Sequence, residues 1–338
     1  MRNAKNHILV IRFSSLGDVA LVVPVLTALQ KFHPNCKLTV LTKPAFAPLF
    51  SHLEGVTVKS IELNKKFKGL VGLWKLSQYI KSLKIDHVAD LHSVLRTKIL
   101  RVFLPGMKWA ILDKGRYNKK QLISGKIFQP LKHTSERYAD VFRSLGYDLS
   151  LENLDLINPK SPTNRLLSFL KPLNKPIVGV APFAAHRSKM YPLEKMKRII
   201  DHISLEYTVL LFGAGHSERQ ILEELAASKS NIISLAGQFS MEEELTIMAQ
   251  LKVMLAMDSA NAHMAAMVGT RVVTLWGVTH PYAGFKPFNQ PLKNCLVSDR
   301  DKFPKIPTSI YGNRYPKGYE FAMETIAEND VIKAIELA

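Results

Sequence analysis

The stretch VMLAMDSANAHMAAMVGTRVVTLWGVTHP, residues 253–281, decides the fold. Residues 253–257 are an apolar run of strand length. Asp258 and Ser259 are good helix N-caps, and residues 261–268 read as a helix closed by Gly269. Residues 271–276 are a second, β-branched run ended by Gly277. The helix begins where the first strand stops. Backbone N–H groups and the positive end of the helix dipole therefore meet at the turn, an arrangement that suits an anion. Ala260, Ala262, Ala265 and Ala266 keep the helix slim enough for a bulky ligand to lie against its first turn. His263, one turn on from Ser259, faces the same opening.

The same rhythm runs outward in both directions. Residues 7–13 (HILVIRF) read as a strand and Ser14-Ser15-Leu16-Gly17-Asp18 as a turn. Residues 19–32 read as a helix, with Pro24 an irregularity and Pro34 the stop. Further strands are expected at 37–41, 56–61, 85–91, 177–180, 208–212 and 232–235, and helices at 64–83, 94–103 and 136–145. Ser240 and Glu243 form a capping box. Residues 108–137 read as a basic, loop-like interval, residues 158–163 (NPKSPT) as a linker, residues 278–320 mostly as loops and residues 324–337 as a closing helix. No full G-x-G-x-x-G is present, so the dinucleotide fingerprint is absent, and the lone Gly213-Ala214-Gly215 is a weak signal.

A chain of 338 residues exceeds a typical single core, and two domains are expected. The boundaries read as 1–160, 161–320 and a closing helix over 321–338 that could pack back on the first domain. No apolar run reaches membrane-spanning length, the first residues lack a signal-peptide layout, and Cys36 and Cys295 have no metal spacing. A reducing cytoplasm is the expected compartment. The net charge of +18 is lopsided. Residues 1–160 hold 26 Lys and Arg against 11 Asp and Glu, and the rest hold 20 against 17. One domain is thus suited to a polyanion: nucleic acid, an anionic membrane face or a phosphorylated substrate. A merely basic solvated surface is the bland alternative.

Individual residues carry two readings each. Asp18, at the mouth of the first turn, is a general base projecting from the end of a strand, or a helix cap. The lysines and aromatics of residues 64–83 suit an anionic membrane surface, while the apolar stripe there also suits packing on the sheet. Arg187 and Lys189 could clamp phosphate oxygens or be exposed loop cations. The run containing Arg116, Lys119 and Lys120 is an anion-contacting surface or a solvated charge run, and His92 and Arg96 follow the strand that ends near Asp90. Asp299-Arg300-Asp301 is formally a D-x-D, but it lies late and beside a proline-rich loop, so no metal ligand is assigned.

Residues 8–24, a strand followed by SSLGD and a proline, resemble the N-terminal signature of glycosyltransferase family nine, the ADP-heptose:lipopolysaccharide heptosyltransferases. Residues 258–266 (DSANAHMAA), with Trp276-Gly277 and Thr279-His280-Pro281, resemble its donor-site signature, and residues 187–192 (RSKMYP) resemble a third marker. Together the three span nearly the whole chain in the expected order. The resemblance implies a GT-B architecture, two Rossmann-like doubly wound α/β domains facing across a cleft. It implies inverting transfer of a sugar, L-glycero-D-manno-heptose from ADP-heptose, to a phosphorylated lipopolysaccharide core acceptor, without a metal or other cofactor.

In that scheme Asp18 is the base and Lys189 stabilises the departing diphosphate. The donor is held by Ser14, Gly17, Arg187, Ser188, Gly213, Ala214, Gly215, Asp258, Ser259, Ala260 and His263. The acceptor is held by His92, Arg96, Arg116, Lys119 and Lys120. The enzyme would sit on the inner face of the cytoplasmic membrane, with no nucleic acid partner. Ala260 and Gly215 depart from the family pattern, which commonly has glycine after Asp-Ser/Thr and an acidic residue after the Gly-Ala turn. A GT-B epimerase and a non-catalytic polyanion-binding protein are the alternatives.

Overall fold

The structure is a computed structural model that describes residues 6–154, 156 and 161–337 of the chain. It divides into two compact units. The first runs to Lys114 and takes up the chain again at Thr134; the second holds Gly115–His133 and the second half of the chain.

The first unit contains β1 (His7–Ile11), α1 (Leu16–Ala20), α2 (Val23–Phe32), β2 (Lys37–Thr42), β3 (Val56–Ser60), α3 (Gly69–Ser82), β4 (His87–Asp90), α4 (Leu95–Phe103) and β5 (Lys108–Ile111). After α5 (Arg116–Ile123), which belongs to the second unit, α6 (Thr134–Ser144) returns to the first. The five strands are parallel in the order β3-β2-β1-β4-β5. All five side chains of β1 are buried, as expected of a central strand covered on both faces. The expected helix over 19–32 is two helices. Pro24 sits in the first turn of α2, where its missing N–H interrupts nothing, and the chain steps between α1 and α2 just before it.

Residues 64–68 are not helical, and α3 starts only at Gly69. Its two faces then divide the apolar stripe. Leu73, Leu76 and Ile80 join the core beside β1 and β4, while Leu70 and Trp74 remain 65% and 51% exposed.

The second unit contains α5, α7 (Asn164–Leu170), β6 (Ile177–Ala181), α8 (Leu193–Ile203), β7 (Thr208–Leu211), α9 (His216–Ala226), β8 (Ile232–Ser234), α10 (Met241–Met248), β9 (Val253–Met257), α11 (Ala260–Met267), β10 (Val272–Trp276), β11 (Cys295–Val297) and α12 (Glu328–Glu336). Its six strands are parallel in the order β11-β10-β9-β6-β7-β8. Thr163 caps α7 by accepting the Leu166 N–H; Asn158, Pro159 and Lys160 of the expected linker lie outside the described residues. The closing helix packs on α8 within this unit, where Arg198 grips the Glu328 carboxylate through two hydrogen bonds of 3.0 and 2.7 Å.

The interval 108–137 is not a loop. It opens with an edge strand, β5, and continues through α5 into α6, and its cations stand on those elements. The other unforeseen strand, β11, is also an edge. Each is only three or four residues long and partly exposed, so neither carries the buried β-branched run that marks the inner strands.

In each sheet the strand order reverses once. β1 pairs with β2 on one side and β4 on the other, and β6 pairs with β7 on one side and β9 on the other. The connections leaving the carboxyl ends of β1 and β4, and of β6 and β9, depart in opposite directions and open a crevice between them. No described helix is long and apolar enough to cross a membrane.

Candidate active site

In the first unit the crevice collects Arg12, Asp18 and His92. Asp18 lies in the first turn of α1, its side chain 32% exposed. Its Oδ2 accepts the Ser15 N–H at 3.2 Å and the Ser15 hydroxyl at 2.9 Å, and stands 2.5 Å from Nη2 of Arg12. The carboxylate thus serves the helix start through Ser15 and still reaches solvent. Ser14 and Gly17 belong to the same turn, in the first unit and not with the rest of the donor set.

Arg12, buried at the end of β1, ties three segments together. Nη1 donates to the Leu91 carbonyl at 2.6 Å, Nη2 meets Asp18, and the guanidinium carbon lies 5.7 Å from the centre of the Tyr138 ring on α6. The Tyr138 hydroxyl donates to the Asp18 carbonyl at 3.3 Å. Asp90 accepts the His92 and Ser93 N–H groups at 3.0 and 2.8 Å and so pins the turn after β4. The His92 ring packs edge-on against Phe13. Burial, with the nearby charges of Arg12 and Lys114, drives its pKa down to about 4, so the ring is neutral at pH 7. Arg96 stands in the first turn of α4, partly exposed.

In the second unit, Lys189 and Asp258 meet across the crevice between β6 and β9. Nζ of Lys189 is 2.8 Å from Oδ2 of Asp258, and both side chains are withdrawn from solvent (12% and 4% exposed). The Thr279 hydroxyl donates to the same oxygen at 2.9 Å. Asp258 therefore faces a lysine, while Ser259 takes the N-cap position of α11 in extended backbone. The Ser259 hydroxyl is buried and has no protein partner, and Ala260 begins the helix beside it. His263 lies in the same helix, buried, close enough to His133 for their charges to interact.

Two glycines admit the Lys189 loop. A Cβ on Gly277 would meet the Ser188 carbonyl oxygen at 2.2 Å, and one on Gly312 would meet Cδ of Lys189 at 2.7 Å. Gly312 also has φ +80°, in the region that favours glycine. The Ser188 hydroxyl donates to the Gly312 carbonyl at 2.5 Å and locks the loop. Arg187 projects into solvent next to it.

Gly213, Ala214 and Gly215 follow β7, one strand away from the reversal, and the Ala214 N–H donates to Glu218 of α9 at 2.8 Å. An acidic side chain thus reaches that turn from further along the chain than the family pattern places it. The expected acceptor residues divide: His92 and Arg96 belong to the first unit, and Arg116, Lys119 and Lys120, on α5, to the second. Asp299 folds back on its own turn and accepts the N–H of Asp301 at 2.8 Å. Among the described residues, no group of three His, Cys, Asp or Glu side chains is placed to hold a metal ion.

The sequence reading missed Arg12 and Tyr138, and placed Thr279 in the donor-site signature without giving it a role of its own. A signal existed for the first, since a lone arginine inside an apolar strand run must find partners once buried. Tyr138 reaches its position only through packing.

The chain matches the family model described as glycosyltransferase family 9 (heptosyltransferase) over residues 73–311. It is 23% identical over 335 residues to lipopolysaccharide heptosyltransferase 3 of Escherichia coli, covering 95% of each chain. A glycosyl transferase family 9 structure from Veillonella parvula superposes with a TM-score of 0.76 at 20% identity, over 100% of this chain and 98% of that one. The E. coli heptosyltransferase WaaC, solved with ADP-2-deoxy-2-fluoro heptose, superposes with a TM-score of 0.67 at 19% identity, over 98% and 99%.

Proposed function

The chain belongs to glycosyltransferase family 9, and from that premise we propose that it transfers a heptose from ADP-heptose to a phosphorylated lipopolysaccharide core saccharide with inversion at the anomeric carbon. One observation carries the reading. In both units the residues of the resemblance gather where the strand order reverses, the place where doubly wound sheets bind ligands.

Inverting transfer divides into two tasks. A base must take the proton of the attacking hydroxyl, and the leaving diphosphate must be neutralised. Asp18 takes the first. Its carboxylate is aimed by Arg12 and Ser15, and Arg12 is itself held by Leu91 and the Tyr138 ring. Neutral His92 beside it offers ring nitrogens for hydrogen bonding to a sugar without adding a second cation. Lys189 takes the second task, and the N-terminus of α11 with the unpartnered Ser259 hydroxyl supplies further donors to phosphate oxygens. Asp258 does not bind the phosphate, since like charges repel. It holds the Lys189 ammonium by one N–H and leaves the others for the ligand.

The exposed face of α3 supports attachment to an anionic membrane surface. Leu70, Val71 and Trp74 point outward, and residues 64–85 carry six lysines and no carboxylate.

The test is calorimetric titration with ADP, UDP and GDP, with and without magnesium. Selective, magnesium-independent ADP binding supports the donor; preference for UDP or GDP overturns it while leaving the fold.

A further inference from the structure

The second unit holds a cavity of about 520 Å³, walled by the end of α5 and the chain that follows it and by the loops between β11 and α12. Its chemistry is one-sided. Arg300, Lys305 and Arg314 line it, and no carboxylate does. None of the three forms an ion pair with a described residue. An uncompensated cluster of cations in a concave wall concentrates positive potential and draws anions.

Arg300 is fixed in place. Its Nε donates to the Ile306 carbonyl at 2.9 Å, and its guanidinium lies over the Phe128 ring, 3.5 Å from the centre. Phe128 is braced in turn by the rings of His280 and Tyr282, at 5.0 and 4.9 Å. Arg300 thus has Nη donors preset for a planar or tetrahedral oxyanion. Tyr315 adds a second ring to the lining, a surface suited to the C–H face of a sugar. The volume fits a ligand of sugar size, within the usual range of small-molecule sites.

We propose that this cavity is a second binding site, for a phosphorylated sugar, separate from the diphosphate cradle at Lys189. It rests on the proposed acceptor reading in one respect: the sugar it takes is a phosphate-bearing residue of the acceptor. The cavity is tied to the Lys189 loop through one short segment. Thr308 donates to the Arg314 carbonyl at 2.8 Å, and two residues earlier Gly312 accepts the Ser188 hydroxyl and supports the Lys189 stem. Occupancy by the acceptor's phosphosugar therefore steadies the loop that carries Lys189, which makes the site a determinant of acceptor choice.

The experiment is titration of the full-length protein with glucose 6-phosphate, glucose and inorganic phosphate, each with and without saturating ADP. We expect glucose 6-phosphate to bind in both arms, and no more weakly with ADP than without it because the two sites share the Lys189 loop, while glucose and phosphate alone bind about tenfold more weakly or worse. The K305Q/R314Q double variant should lose roughly tenfold or more in affinity for the sugar phosphate. ADP binding should not change. Both side chains are exposed, so the thermal transition should hold, and R314K should recover part of the binding.

Displacement of the sugar phosphate by ADP would assign it to the donor cradle and overturn the proposal. So would unchanged affinity in the double variant, inorganic phosphate binding as tightly as the sugar phosphate, or no saturable binding to the wild type. The arm without ADP reads the cavity even if the protein ignores ADP, so failure here and failure of the donor assignment are distinguishable.

Discussion

Asp18 and Lys189 make opposite demands on their surroundings, and the residues around them show how each is met. Asp18 keeps a third of its side chain in solvent while Arg12 and Ser15 fix one oxygen. Replacing it with asparagine keeps the size and the helix start but removes the carboxylate that we propose as proton acceptor. D18N should bind ADP normally and lose about 10²–10⁴-fold in transfer rate, and normal turnover would remove the base assignment. Lys189 is withdrawn from water and depends on Asp258 and Thr279 for its position. K189A should weaken ADP binding by roughly ten- to a hundredfold in calorimetry, the loss of one charge-assisted contact. Unchanged affinity would mean that the loop serves another ligand. G277A should lower stability by about 1–3 kcal/mol in denaturant titration, because its methyl meets the Ser188 carbonyl oxygen and pushes the Lys189 loop away.

Among the elements, α3 resolves an ambiguity that its sequence contains. An apolar stripe with lysines permits either packing or membrane contact; the helix packs along one face and leaves Leu70, Val71 and Trp74 exposed along the other, the face we propose for a membrane surface. L70E/W74E alters only exposed positions, so it should leave the thermal transition in place while abolishing co-sedimentation with phosphatidylglycerol vesicles. Wild-type binding should also fall with added salt, as screening of the lysines requires. Equal sedimentation of wild type and variant would remove this face from consideration. The two short edge strands, β5 and β11, make the complementary point. Too brief and exposed to show a pattern, they form because a neighbouring strand already offers its hydrogen-bonding edge.

At the scale of the whole molecule, burial sets the response to pH. The pKa values of His92, His133 and His280 are all pushed down to about 4, chiefly by loss of water. Unfolding returns them to about 6.5. The folded state therefore refuses protons that the unfolded chain binds, and the stability this represents is present above about pH 6.5 and lost as pH falls toward 4. Glu244 acts in the other direction. Burial raises it to about 7, so its contribution is present at low pH and lost as pH rises through that value. Thermal unfolding should show Tm falling from about pH 6.5 downward, and H280Q should flatten the slope. A Tm independent of pH across that range would contradict the burial of these rings.

The sequence alone determined the alternation of strands and helices, nine of the eleven strands among the described residues, and the turns that follow β1 and β9. Those features follow from local chemistry: buried strands read as apolar runs, and turns at their ends carry glycine, serine and aspartate whatever lies beside them. The tertiary structure decided which of these turns become neighbours. Nothing in residues 187–189 states that β9 lies beside β6, yet only that strand order brings Lys189 to Asp258. Likewise β4 must lie beside β1 before Arg12 can reach the Leu91 carbonyl while holding Asp18. The assignment of Gly115–His133 to the second unit, and the cavity it helps to wall, depend on the same non-local packing. Strand order is set by the burial of whole sheet faces, a sum over residues far apart in the chain, and so no single stretch records it.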